Sequence, residues 1–415
     1  MKILSHLNKI VVITLYLTTS LVLSQTSNWN DDLDMYYTKL SEKHIDIFNK
    51  IDKEVFEKEL HQIKISSSKE NDFQTILKLM KLTRKIGDGH TSVSLRNFKT
   101  HSYPLEIRFI DNQWRVVKIA EENQQLLSTS LIAIDGVPID EVSIKISEIA
   151  QFVENQYSQI VRTGNYLTIS ELLFALNITK NKQEAIFTFT GAHNNNVDVT
   201  LKAFDKVTMD SINFKELSIG VPQISKPENS SFDYLWFAPI ENEQAVYINF
   251  ESYPSFEEMQ VFGDKLVTYI AKNNIHKIII DMRNNGGGDL YVGVVLAYAL
   301  NLADSIDWKQ GVYVLSSNIT FSAGASNMAL FKQLLNAKII GQPTGSNPTG
   351  YQDMGQFTLP NSKLVITYSK RYFKLSETLT QGVQPDVLLN YNWNDYKNGT
   401  DTMIEWIIND FQTYK

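Results

Sequence analysis

The chain has 415 residues, 43% of them apolar and 20% charged, with a net charge of −7. That length exceeds what one compact core accommodates, so two or three domains are expected. The mildly acidic balance, without Lys/Arg clusters, argues against nucleic acid as a partner, and the absence of cysteine excludes disulfides, a lipidated cysteine and a thiol nucleophile.

Residues 1–24 read as a signal peptide. Lys2 and Lys9 are its only charges, Ile10 to Leu23 form an apolar run, and Val22-Leu23-Ser24 offers a cleavage site. The run falls short of the ~20 residues a spanning helix needs, so cleavage rather than stable membrane insertion is expected. Loss of the two lysines takes the mature chain to −9. A periplasmic or extracellular protein is implied.

From about Asp31 to Arg84 the pattern is helical. Val55, Phe56, Leu60 and Ile63 form one apolar stripe, and Phe73, Ile76, Leu77 and Met80 a second, with a polar turn at 66–71 between them. The glycines of Lys85-Ile-Gly-Asp-Gly-His-Thr-Ser92 end the helix and leave His90 on a loop or at a strand start. Strands are predicted at Leu105–Phe109, Trp114–Val117 and Leu131–Ile134, the last running into an Asp135-Gly136 turn. Helices are predicted over Ile146–Tyr157 and Leu167–Leu176, and strands near Ala185–Thr190 and Val197–Lys202. Residues 204–232 lack a period and read as a connecting region. From Ala245 onward strands and helices alternate, which implies a mostly parallel, layered sheet. The expected domains are therefore residues 25–100, 101–232 and 233–415.

Two segments carry the chemistry. Lys277-Ile-Ile-Ile-Asp-Met-Arg-Asn-Asn-Gly-Gly-Gly288 is an apolar strand ending in an amide-rich turn. Thr320-Phe321-Ser322-Ala323-Gly324 follows another apolar strand and opens a helix, where unpaired N–H groups carry partial positive charge. Ser322 could act as a nucleophile beside these donors, or merely cap the helix. No H-E-x-x-H, Walker loop or dinucleotide fingerprint is present, so neither a metal nor a cofactor is expected.

In order, the motifs D-x-R-x-N-x-G-G (Asp281–Gly288), T-x-S-A (Thr320–Ala323), h-h-G-x-x-T (Ile339–Thr344) and G-V-x-P-D-V (Gly382–Val387) resemble the S41 peptidase family: C-terminal processing (tail-specific) proteases, the tricorn core and the retinoid-binding-protein repeats. The resemblance implies an α/β fold with a crotonase/ClpP-like layered core, a helical N-terminal domain and a small β-rich segment. Within that segment, Ile132–Val142 is similar to the strand-turn of PDZ modules. It also implies a serine peptidase acting on peptide or protein substrates. Ser322 is then the nucleophile, and Gly287 and Ala323 supply the oxyanion hole. The lysine of the tail-specific enzymes falls on Asn347, which cannot be a base; Gly87-Asp-Gly-His-Thr91 instead resembles the D-G-H-T block of the histidine-using branch, which makes His90 the base. Asp353 and Glu377 are the candidates for the acid orienting it, with Asp353 preferred. Two other readings remain open: a non-catalytic member of the fold that binds a peptide or apolar ligand, and a crotonase-type acyl-CoA enzyme, which the leader argues against. Oligomeric state has no signature.

Overall fold

A computed structural model describes residues 29–191 and 195–413. The leader at 1–24 and His193 lie outside the described residues. Among those described, no helix is long and apolar enough to cross a membrane.

Three helices open the structure: α1 (Trp29–Lys43), α2 (Lys53–Ser67) and α3 (Asp72–Arg84). Asp52 caps α2 by accepting from the Glu54 and Val55 amides, and Asn71 caps α3 through Gln74. Phe56, Leu60 and Ile63 are buried, as are Ile76, Leu77 and Met80. Val55 is 46% exposed instead, because it sits one position off the face that Phe56, Leu60 and Ile63 define.

A short strand β1 (Ser92–Ser94) follows the glycine turn. Strands β2 (Leu105–Ile110), β3 (Gln113–Ala120), β4 (Leu131–Ile134) and β5 (Val137–Pro138) come next. Asp135 and Gly136 turn β4 into β5 with φ of 46° and 81°. Helices α4 (Ile139–Ser147), α5 (Gln156–Tyr166) and α6 (Ser170–Ala175) follow. The helix predicted over Ile146–Tyr157 is therefore wrong across 148–155. Phe152 adopts φ 60°, which no helix continues through, and Asn155 starts α5 afresh in a capping box with Ser158. Likewise Leu167–Leu176 is helical only from Ser170 to Ala175. Strands β6 (Glu184–Thr190) and β7 (Asn196–Lys202), a turn of helix α7 (Lys206–Met209) and β8 (Phe214–Glu216) complete two small sheets, ordered β5-β4-β6-β7 and β2-β3-β8.

The remainder is β9 (Leu235–Pro239), β10 (Ala245–Phe250), α8 (Phe256–Lys272), β11 (Lys277–Asp281), α9 (Leu290–Leu300), β12 (Val312–Ser316), α10 (Ala323–Leu334), β13 (Lys338–Gly341), β14 (Thr349–Thr358), β15 (Val365–Lys374), β16 (Val387–Leu388), α11 (Trp393–Lys397) and α12 (Thr402–Thr413). The six-stranded sheet runs β16-β13-β12-β11-β10-β9, parallel except for the edge strand β9. One face packs Ile248, Ile278, Ile280 and Val314 under α8–α10; the other packs Tyr247, Ile279, Tyr313 and Leu315 under α12. Burial on both faces is why these strands read as unbroken apolar runs.

The long hairpin β14–β15 leaves this sheet. It pairs with β1 (Ser92↔Thr367) and buries Leu359, Leu364 and Ile366 in the core of the N-terminal helices. This exchange carries the β1 turn to the end of β12.

Candidate active site

Ser322 stands at the sharp turn between β12 and α10, with φ 52° and ψ −127°. Such a backbone costs an L-residue on the order of 1–3 kcal/mol and persists only where neighbours over-determine it. Here they do. Thr320 Oγ1 donates to the Met282 carbonyl (2.9 Å), Phe321 N to the Asn285 carbonyl (2.9 Å), and Ser322 N to Ser346 Oγ (2.8 Å). The Ser322 side chain makes no capping bond, so it is free of the helix it precedes.

The glycine turn after β11 is anchored by a buried ion network. Arg283 pairs with Asp281 (2.5 Å) and Asp401 (2.6 Å), and Tyr247 donates to Asp281 (2.7 Å). Asp281 and Arg283 thus brace the loop, away from the chemistry. Gly287 adopts φ 104°, and a Cβ there would lie 2.6 Å from Ser322 Cβ. Only glycine lets the two loops approach so closely. Gly287 N donates to Asn285 Oδ1 at 3.0 Å, whereas among the described residues the Ala323 N–H has no acceptor. Of the two predicted oxyanion donors, Ala323 is open and Gly287 is held by a side chain.

His90 lies in the turn before β1. Its backbone N–H donates to Asp88 Oδ1 (2.7 Å), the local turn that aspartate two residues earlier favours. Asp88 also accepts from Ser369 Oγ (2.8 Å) on β15, from Thr91 Oγ1 and from His44 Nε2 (2.8 Å). His44 Nδ1 accepts the Asp46 amide at 2.9 Å, which leaves Nε2 as the nitrogen that donates to the Asp88 carboxylate. With its turn held from α1's end and from β15, His90 Nε2 stands 2.9 Å from Ser322 Oγ, across 232 residues of sequence. The ring is 3% exposed. Burial lowers its pKa below 6.5; the Asp88 charge and the Tyr351 carbonyl oppose this, and the Arg162 charge adds to it. The imidazole is therefore neutral at neutral pH.

Neither predicted acid touches it. Asp353, on β14, gives Oδ1 to Lys370 (2.9 Å) and Oδ2 to Arg371 (3.1 Å), two cations across the hairpin, and acts on His90 only through space. Glu377 has its side chain 94% exposed and pairs with Lys374. His90 Nδ1 is buried without a hydrogen-bond partner of normal geometry. Asn347, at the lysine position, ties α5 to the Gly382 turn, accepting from Asn155 Nδ2 (3.0 Å) and Gly382 N (2.8 Å).

Glu154, which no sequence signal marks, lies in the open segment before α5. Its side chain packs against Gly89 and Gly350, and its Oε2 is buried and unpartnered. Burial first, then the Asp88 charge, pushes its pKa to about 8, against bonds to Ser346 and the Asn347 backbone. Glu154 is thus a neutral acid wedged between the histidine turn and the 346–350 segment. A raised acid pKa contributes stability fully below the free value of 4.5, and that contribution is lost as pH rises toward about 8. At about 1.4 kcal/mol per pKa unit over the 2.5 units between 4.5 and pH 7, Glu154→Gln should stabilise the fold by up to roughly 3 kcal/mol at pH 7. The gain should vanish near pH 4 in urea denaturation; equal effects at both pH values would refute the assignment.

Ser322, His90 and the glycine loop open into a cleft of ≈ 810 Å³, also lined by Arg96, Arg162, Asp289 and Tyr291.

No family model matches the sequence. The fold has solved counterparts. It is similar to mature CPAF complexed with lactacystin (13% identity, TM-score 0.64, covering 92% of this chain and 97% of that one) and to mature CPAF (13%, 0.64, 91% and 96%). The photosystem II D1 C-terminal processing protease aligns at 14% identity over 86% of this chain and 92% of that one, with TM-score 0.43. What the chain shares with CPAF at this identity is the mixed α/β fold that the sequence motifs implied.

Proposed function

We propose that the chain is an exported serine peptidase that hydrolyses peptide bonds through an acyl-enzyme on Ser322, with His90 as general base. The observation carrying this is the 2.9 Å contact between His90 Nε2 and Ser322 Oγ, with Gly287 packed against the serine. In this reading Nδ1 holds the ring proton, so Nε2 accepts the serine hydroxyl proton as Oγ attacks the peptide carbonyl carbon. The oxyanion meets the Ala323 N–H at the positive end of α10, and the Gly287 N–H once Asn285 Oδ1 yields it. The imidazolium then passes its proton to the leaving amine, and water, deprotonated by the same nitrogen, releases the acyl group as a carboxylic acid. Asp88 positions the histidine turn without touching the ring nitrogens. The leader at residues 1–24 supports a periplasmic or extracellular site of action.

A fluorophosphonate probe should label the purified protein, with the adduct mapped to the Ser322 peptide by mass spectrometry. That neither Asp353 nor Glu377 reaches His90 favours one alternative, a binding protein of the same fold for a peptide or apolar ligand. Absence of labelling across pH 5–9 would select it.

The pH profile is a second check. Since burial lowers the His90 pKa, the active neutral form persists at pH 7, and activity is lost as pH falls below 6.5. The acid limb of kcat/KM should therefore have its midpoint under 6.5 and a slope near tenfold per pH unit. A midpoint above 7 would remove His90 from the role.

A further inference from the structure

The cleft around Ser322 is positive within an acidic protein. Arg96, Arg162, Lys370 and Arg371 line it, against only Asp289 and Asp353. Asp353 is shared by Lys370 and Arg371, and Asp289 caps α9 by accepting from Tyr291 N. Among the described residues no carboxylate pairs with the other two, Arg96 and Arg162, in a chain whose net charge is −7.

Arg162 is the better placed of the two. It projects from α5 onto Phe321, the residue before the nucleophile, with its guanidinium carbon 5.0 Å from the ring centroid. Phe321 also stacks on His90, the centroids being 5.3 Å apart. This cation–π contact holds the guanidinium beside the nucleophile. Its one hydrogen bond runs from Nε to the Phe152 carbonyl at 3.4 Å, and among the described residues no carboxylate pairs with it. A partly desolvated cation facing a cleft gains most from an anion that arrives with a ligand.

We infer that Arg162 forms an acid-selective subsite, holding a substrate carboxylate beside the scissile bond, with Arg96 adding to the field that draws acidic peptides in. The carboxylate is that of an aspartate or glutamate side chain of the substrate. The inference deepens the peptidase reading by naming its substrate class, and its test is arranged to be independent of turnover.

Ser322→Ala protein is titrated, by fluorescence anisotropy, with dye-labelled alanine/glycine peptides carrying one glutamate, and with glutamine twins. Each is made with a free and an amidated C-terminus. The glutamate peptide should bind about tenfold or more tightly than its glutamine twin, and the preference should shrink as salt rises. Adding Arg162→Gln should bring the ratio close to one, and Arg162→Lys should retain part of it. A preference for glutamate over glutamine that holds in the amidated pair as well as in the free acids identifies the side-chain subsite. Equal binding of the glutamate and glutamine twins, no binding of any, a preference confined to the free C-terminus, or one that survives Arg162→Gln overturns the subsite. If Arg162→Gln fails to fold, the salt dependence of the single variant and the Arg162→Lys ratio decide. Fluorophosphonate labelling of the wild type tests the hydrolase reading separately, so the two can fail independently.

Discussion

Ser322→Ala is expected to reduce peptide hydrolysis by about 10³-fold or more and to abolish fluorophosphonate labelling, with no loss of fold. The alanine keeps the backbone turn and every bond holding it, since those bonds come from the main chain at 321–322 and the side chains of Thr320 and Ser346. The strain at φ 52°, ψ −127° gives a control that separates chemistry from structure. Ser322→Gly removes the nucleophile equally, yet glycine tolerates this backbone. It should be more stable than Ser322→Ala by about 1 kcal/mol in chemical denaturation. Two inactive variants with that order of stability would tie the strain to the nucleophile. Residual hydrolysis at wild-type level in either would dismiss Ser322.

Gly287→Ala should be nearly as damaging, for a different reason. The added Cβ would meet Ser322 Cβ at 2.6 Å and the Phe321 carbonyl oxygen at 3.0 Å, and the residue would have to hold φ 104°. Neither neighbour can withdraw, because the nucleophile loop is pinned to the glycine loop by Thr320 and Phe321. The loops must part, displacing the serine from His90 and from the amides facing it. A 10²–10³-fold fall in kcat is expected, with a loss of stability on the order of 1–3 kcal/mol from the backbone alone. Gly286→Ala is the matched control: its Cβ meets nothing within 4 Å and its φ is not in the left-handed region, so activity should stay within a few-fold. If Gly287→Ala turned over normally, the packing of these loops would not govern the reaction.

How legible the site was depended on sequence distance. Asp88 could have been assigned from Asp-Gly-His alone, because an aspartate two residues before an amide caps it locally. Its other partners, His44 and Ser369, join it from 44 residues before and 281 after, and no local pattern announces them. Asp353 looked like an orienting acid because it follows the Asn347 loop. That segment is a strand, and the facing strand offers Lys370 and Arg371 to its carboxylate. Glu154 was hidden because residues 148–155 read as helix, on apolar spacing that the Asn155 cap overrides.

The sequence by itself determined the parts whose causes are local or patterned. These are the apolar strands β10 to β13, the helices between them, the glycine turn at 286–288, and the placing of Ser322 and His90 at element ends. Alternation, capping and turn chemistry act over a few residues, so they can be read in order along the chain. Only the tertiary structure decided which ends meet. The β14–β15 hairpin leaves the parallel sheet to pair with β1, and that exchange sets an imidazole 2.9 Å from a hydroxyl, a neutral Glu154 against the histidine turn, and Arg162 at the cleft wall. Burial and electrostatic environment follow from contacts between remote segments, and the packing of whole layers fixes those contacts.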